Sequence, residues 1–141
     1  MPAEPRFPAP DPREIDPRAV RRAFGRAAAT YDGAAVLQRE VSARLAGRLD
    51  VVKLAPGTIL DAGCGTGEAI GELSARYPSA RVVALDAALP MLQQARTRSA
   101  HGRSRLARML RPLGRGGAPA PAFVCADGTA LPLPGVCIDL V

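Results

Sequence analysis

The sequence predicts an α/β fold, a parallel sheet with helices packed on it, and three observations carry that prediction. Short apolar runs of strand length recur at residues 58–62, 81–86, 122–125 and 137–141, mostly separated by stretches long enough for a helix, the pattern of β–α–β units. The first run passes straight into a turn with glycine at every second position, Gly63, Gly65 and Gly67. The second ends on an acid, Asp86, 25 residues after Asp61, near the roughly 20-residue spacing expected when one helix joins neighbouring parallel strands. With 141 residues, 48% of them hydrophobic, the chain suffices for one core of ordinary size.

Residues 1–15 read as a disordered tail, because Pro2, Pro5, Pro8, Pro10 and Pro12 oppose both helix and core formation. The stretch from Met1 to Pro12 also lacks the apolar segment of a signal peptide. Order is predicted to begin at Asp16, whose side chain can cap a helix, with Pro17 preset for the first helical position. Val20, Phe24, Ala27 and Tyr31 then recur on one helix face. A second helix is predicted from about Ala34 to Leu49, with Leu37, Val41, Leu45 and Leu49 along one side. Residues 16–50 thus form a helical unit ahead of the first strand, and 51–141 the part that bears the sheet. The segment at about 97–121 is longer than the connection to the third strand needs. It reads as an inserted surface element, a short helix around Ser104–Leu110 followed by a flexible linker rich in glycine and proline. The last run, Val136 to Val141, stops in mid-pattern, so the sequence reads as the N-terminal part of a longer domain, with an apolar edge beside the fourth strand.

The glycine turn carries the chemistry. A backbone that must bend sharply and admit a ligand closely needs positions without side chains, the role predicted for Gly63, Gly65 and Gly67. The helix that follows would aim free N–H groups at the ligand. The spacing G-x-G-x-G departs from the G-x-G-x-x-G of dinucleotide sites, which argues against NAD. No Gly-Lys-Ser/Thr follows, and the only lysine, Lys53, precedes the strand, which argues against a phosphate-gripping loop. The cysteines Cys64, Cys125 and Cys137 form no C-x-x-C pair and His101 is the only histidine, so neither disulfides nor a metal centre are expected. No run approaches membrane-spanning length, and the composition suits a cytosolic domain.

Asp61-Ala62-Gly63-Cys64-Gly65-Thr66-Gly67, the acid ending Val82-Val83-Ala84-Leu85-Asp86, Met91-Leu92, and Cys125-Ala126-Asp127 together resemble the successive motifs of class I S-adenosylmethionine-dependent methyltransferases. The resemblance implies a Rossmann-like sheet with strands in the partial order 3-2-1-4 and helices on both faces, the family's later strands lying outside this sequence. It implies S-adenosylmethionine as cofactor, with Gly63, Cys64, Gly65 and Gly67 against its methionine part and Asp61 anchoring the turn and the amino group. Asp86, with Ala87 beside it, would bind both ribose hydroxyls, since vicinal hydroxyls donate well to an ionised carboxylate. Asp127 resembles the acid that meets the adenine amino group, with the backbone of Ala126 or Gly128 nearby, and Met91 the apolar residue flanking the ring. Other readings stay open beside these: Met91 as plain core, Asp127-Gly128 as a simple turn, Asp61 as a purely structural anchor, and Cys64 as a small packing residue.

The leader, Arg22-Ala23-Phe24-Gly25-Arg26-Ala27-Ala28-Ala29-Thr30-Tyr31-Asp32 followed by Leu37-Gln38-Arg39, resembles the opening of malonyl-acyl-carrier-protein O-methyltransferases, which begin the pimelate arm of biotin synthesis. Quinone-pathway methyltransferases have a similar F-x-x-x-A-x-x-Y-D leader. The resemblance implies leader helices that close over the cofactor, with Tyr31 a candidate pocket residue or, alternatively, an aromatic with its hydroxyl at the rim. It implies methyl transfer to a carboxylate oxygen of a malonyl thioester, with malonyl-acyl-carrier protein or malonyl-CoA as substrate. Such a carboxylate is ionised at neutral pH and is its own nucleophile, so no general base is assigned. Catalytic residues stay unassigned, because that family's acceptor pocket draws on the half of the fold outside this sequence.

Arg22 and Arg26 are either a solvated face or a surface for an acidic acceptor. From Arg96 to Arg115 the chain holds Arg96, Arg98, Arg103, Arg105, Arg108, Arg111 and Arg115 and no acid; without these seven the net charge of +6 would be −1. That segment would dock an acidic carrier protein, touch RNA phosphates, or be a tolerated loop. No aromatic residues interleave with the arginines, which argues against nucleic acid. A methyltransferase-like binding module without turnover and a nicotinamide-dependent oxidoreductase are the competing functional classes. The oligomeric state is left open.

Overall fold

The computed structural model describes residues 15–102 and 119–141. Helix α1 (Pro17–Ala27) opens with Asp16 as its cap: the carboxylate accepts from Arg18 N–H at 2.9 Å, and Pro17 follows at the first helical position. The helix does not reach Tyr31. Thr30 turns both its N–H and its hydroxyl back onto the Ala27 carbonyl, at 2.9 and 3.3 Å, the local competition that Ser and Thr offer to a continuing helix. A separate single turn, α2 (Tyr31–Ala34), starts there. Tyr31 thereby leaves the line of α1, yet its ring stays 6.0 Å from that of Phe24.

Helix α3 (Val36–Arg48) ends in a 3-10 turn, Leu49–Val51. Its predicted apolar side is not buried: Leu37, Val41 and Leu45 are 70%, 47% and 55% exposed, and Ala46 is its one buried residue among those described. The reason is the way α3 is docked. Gln38, Arg39 and Ser42 face the glycine turn, and the Arg39 guanidinium donates to the Asp32 carbonyl, which leaves Leu37 and Val41 in solvent, while Leu45 and Leu49 border a second cavity with Ile59, Leu73 and Leu140.

The sheet comprises β1 (Thr58–Ala62), β2 (Arg81–Asp86) and β3 (Ala122–Cys125), all parallel, in the order β1-β2-β3. Asp61 stands opposite Ala84, and Asp86 opposite Cys125. Val82, Val83, Ala84 and Leu85 are all buried, as a strand covered on both faces requires. On one face Ile70 of α4 (Ile70–Arg76) and Leu92 and Ala95 of α5 (Leu89–Gly102) pack with Val82, Ala84 and Cys64. On the other, Leu60, Val83 and Leu85 meet Leu133 and Ile138.

Leu140 forms a parallel bridge with Ile59 on the free side of β1, and accepts from Leu60 N–H at 2.8 Å. The C-terminal segment thus takes the fourth place of the order 3-2-1-4, but the strand expected at 137–141 is a bridge. The backbone bends just before it at Val136, which adopts φ 55. The Asp139 carboxylate then takes the N–H groups of Gly57 and Thr58, at 2.9 and 2.8 Å, ending the pairing there. Residues 97–102 belong to α5, so the expected insert begins later than 97. The short helix around Ser104–Leu110 and all but the last residues of the linker lie outside the described residues, as does the proline-rich tail up to residue 14. Among the described residues no helix is long and apolar enough to cross a membrane.

Candidate functional site

β1 delivers the chain into a turn that only glycine tolerates well, with φ 74 at Gly63, 53 at Gly65 and 80 at Gly67. The N–H groups of Gly63 and Cys64 donate to the Leu85 carbonyl at 2.8 and 3.0 Å, which folds the turn over the end of β2. Asp86 completes the frame. Its Oδ2 accepts from Gly65 N–H at 2.9 Å and its Oδ1 from Ala88 N–H at 2.8 Å, tying the turn to the start of α5.

The three glycines divide by function. A Cβ at Gly63 or Gly65 would meet nothing within 4 Å, so these positions open onto free space. A Cβ at Gly67 would lie 2.9 Å from both Ala95 Cβ and Ile70 Cδ1. The expectation that Gly67 makes room for a ligand is therefore corrected: it makes room for α5 to pack against the turn.

Around this turn lies a cleft of two joined lobes. The larger, about 350 Å³, has Asp86, Ala87 and Met91 on the β2–α5 side, Gly128 after β3, and Phe24 and Tyr31 across from them. The smaller, about 180 Å³, has Asp61, Cys64 and Thr66 on the sheet side and Asp32, Gln38 and Arg39 from the leader. Tyr31, Gly63 and Gly65 line both. Met91 is at once core, buried with Ala28 and Ala88, and lining.

Two expected residues point elsewhere. Ala126 donates its N–H to the Asp86 carbonyl at 3.1 Å and packs its side chain on the Leu60 cluster. The Asp127 carboxylate accepts from Thr129 N–H at 2.9 Å and from its hydroxyl at 2.7 Å. These bonds, with Arg21 nearby, hold its pKa below the ordinary carboxylate value. The turn at 127–129 takes up that side chain, and Gly128 is what borders the cleft.

The electrostatics centre on Asp61. Its Oδ2 is buried and has no hydrogen-bond partner among the described residues. Burial, and then the charge of Asp86, raise its pKa above 3.8. A buried carboxylate oxygen left unpaired is costly, so this position suits a ligand bringing an N–H donor, best a cationic one. Cys64 beside it is pushed up to about 12, first by burial and then by Asp61 and Asp86, and packs as a neutral thiol. Among the described residues no three His, Cys, Asp or Glu side chains are placed to hold a metal ion.

Sequence reasoning did not find Asp32, Gln38, Arg39 or Thr66 as lining residues, and read Phe24 only as a helix face. The signal for Thr66 was its place within the glycine turn, and for the others the leader's similarity to related chains, because their convergence on the turn depends on how the leader docks.

A glycine turn and two carboxylates meet at the carboxyl ends of adjacent parallel strands, the place where open α/β sheets bind their ligands. Residues 59–141 match the family described as a methyltransferase domain, and the chain belongs to that family. It is similar to the malonyl-[acyl-carrier protein] O-methyltransferase of Methylovorus sp. (strain MP688), 51% identical over 127 residues that cover 90% of this chain and 40% of that protein. The protein of the same name from Laribacter hongkongensis (strain HLHK9) is 50% identical over 126 residues, 89% of this chain and 40% of the relative. The chain thus spans about 40% of the length of these relatives. Among solved structures, the plantazolicin methyltransferase BpumL in complex with SAH aligns with TM-score 0.45 and 20% identity, over 84% of this chain and 43% of that one.

Proposed function

We propose that this chain is the cofactor-binding part of a cytosolic S-adenosylmethionine-dependent O-methyltransferase that methylates the free carboxylate of malonyl-acyl-carrier protein. The observation that carries the reading is that Asp61, whose Oδ2 is buried without a partner, borders one lobe of a cleft whose other lobe is bordered by Asp86. S-adenosylmethionine, when bound, supplies a sulfonium methyl group. Asp61 would take the ligand's ammonium, and Arg39 its carboxylate. Gly63 and Gly65 leave the space beside them free of side chains. Asp86 would accept the ribose hydroxyls: a carboxylate offers about four acceptor positions, and two are used by Gly65 and Ala88. Met91 and Phe24 offer apolar surface to an aromatic base. Two carboxylates bordering one cleft favour a ligand of positive charge over the neutral product form.

The acceptor assignment draws on the relatives' names and on their 50–51% identity over about nine-tenths of this chain. A malonyl carboxylate is ionised at neutral pH and needs no base. The task left to the protein is to align it and to exclude water. A label-transfer assay tests the reading: the full-length gene product with methyl-labelled S-adenosylmethionine should label malonyl-acyl-carrier protein or malonyl-CoA. Label passing instead to quinone precursors would overturn the acceptor. Calorimetry showing affinity for NAD and none for S-adenosylhomocysteine would overturn the cofactor.

A further inference from the structure

We infer that Arg98 is a positioning residue for the cleft: from α5 it latches α2 onto the glycine turn and holds the Asp61 lobe closed. The role of that lobe in cofactor binding rests on the proposed function above; the latch rests on the geometry of the protein itself. The Arg98 guanidinium pairs at once with the carboxylates of Asp32 on α2 and Glu68 beyond the turn. The other oxygen of Asp32 accepts from the Thr66 hydroxyl at 2.5 Å. One planar fork serving two carboxylates is a task for arginine, since an ammonium is a point charge without that geometry.

α2 needs such a hold. It has four residues, no side-chain cap and no buried residue, and a single helical turn has no stability of its own in water. Its other described ties run to the leader, through the Arg39 bond to the Asp32 carbonyl and the contact of Tyr31 with Phe24, and to the start of α5, where Tyr31 packs on Ala88 and Met91 beside Ala28. Among the described hydrogen bonds and ion pairs, the Asp32–Thr66–Arg98–Glu68 cluster is what joins α2 to the turn. Arg98 borders neither lobe, whereas Asp32, Thr66 and Glu68 line the smaller one, so Arg98 acts through them. Its ion pairs are partly solvated, with side-chain exposures of 37% for Arg98 and 46% and 45% for its partners. Such pairs are modest in strength and weakened by salt, which suits a closure that must release when ligand exchanges.

The experiment is hydrogen exchange at residues 31–35 in the cofactor-free full chain, with calorimetric binding of S-adenosylhomocysteine, for the wild type, Arg98→Gln, Arg98→Lys and Thr66→Val. Arg98→Gln should speed exchange at 31–35 while β2 stays protected, and weaken binding roughly five- to tenfold. Arg98→Lys should restore only part of both. High salt should weaken binding by the wild type and scarcely change the Arg98→Gln variant. Thr66→Val, which keeps the side-chain shape, should shift both readouts in the same direction, and decides the matter if Arg98→Gln does not fold. Unchanged exchange at 31–35 in the folded variants would overturn the latch. A wild type that binds no S-adenosylhomocysteine would overturn the cofactor reading, and exchange would still judge the latch.

Discussion

Asp61 sets stability against binding. A buried carboxylate without a partner lowers the stability of the cofactor-free protein, and the same vacancy of hydrogen bonding gives an ammonium ligand something to satisfy. Because its folded-state pKa lies above 3.8, the folded protein holds that proton to higher pH than the unfolded chain. Its contribution to stability therefore falls as pH rises from about 3.8 through the raised folded-state value, and is level beyond it. Asp61→Asn should thus be more stable than wild type at neutral pH by about 1–3 kcal/mol, the advantage shrinking in acid, while binding S-adenosylhomocysteine more weakly. Urea unfolding of both proteins across pH, with calorimetry at neutral pH, checks this. An advantage that did not change with pH would remove Asp61 as its source.

At the level of elements, the glycine turn separates two demands that the sequence presents as one. Gly67→Ala forces a Cβ against Ala95 and Ile70 at a left-handed φ, adding overpacking to backbone strain, a cost of about 3 kcal/mol. Gly63→Ala meets open space and bears only the backbone strain, about 1–2 kcal/mol. Chemical denaturation should therefore rank Gly67→Ala as the more damaging to the fold. Calorimetry should rank Gly63→Ala as the more damaging to ligand binding per unit of lost stability. The reverse order in denaturation would show that α5 does not rest on Gly67. The leader shows a second division: Asp16 and Pro17 start α1 and Thr30 breaks the line after it by local chemistry, whereas the turning of α3 follows from the docking of Gln38 and Arg39.

For the whole molecule, the cleft is where the leader, the turn and the ends of β1 and β2 meet, so a ligand filling it joins parts otherwise held by the small buried cluster of Ala28, Ala88 and Met91 and by partly exposed ion pairs. S-adenosylhomocysteine at a hundred times its dissociation constant should stabilise the protein by about 2.7 kcal/mol, the linkage value for a ligand that binds only the folded state. Differential scanning calorimetry reads this as a rise in melting temperature that grows with ligand concentration. NAD at equal concentration should give none. A protein whose melting temperature ignored S-adenosylhomocysteine would not bind it in this cleft.

Local chemistry made much of this legible in the amino acids: the apolar runs of β1, β2 and β3, the Asp16 cap, the positive-φ glycines, and Asp86 at a strand end are each specified by residues a few positions apart. Asp86, Ala87, Met91, Gly63 and Gly65 line the cleft. Long-range packing decided the rest. The exposed Leu37 face, the place of Gly67 under α5 and the meeting of Asp32, Thr66, Glu68 and Arg98 all depend on which elements touch, whereas Asp127 is taken up locally by Thr129. A helix pattern states that one side is apolar, but not which neighbour the helix will turn it toward.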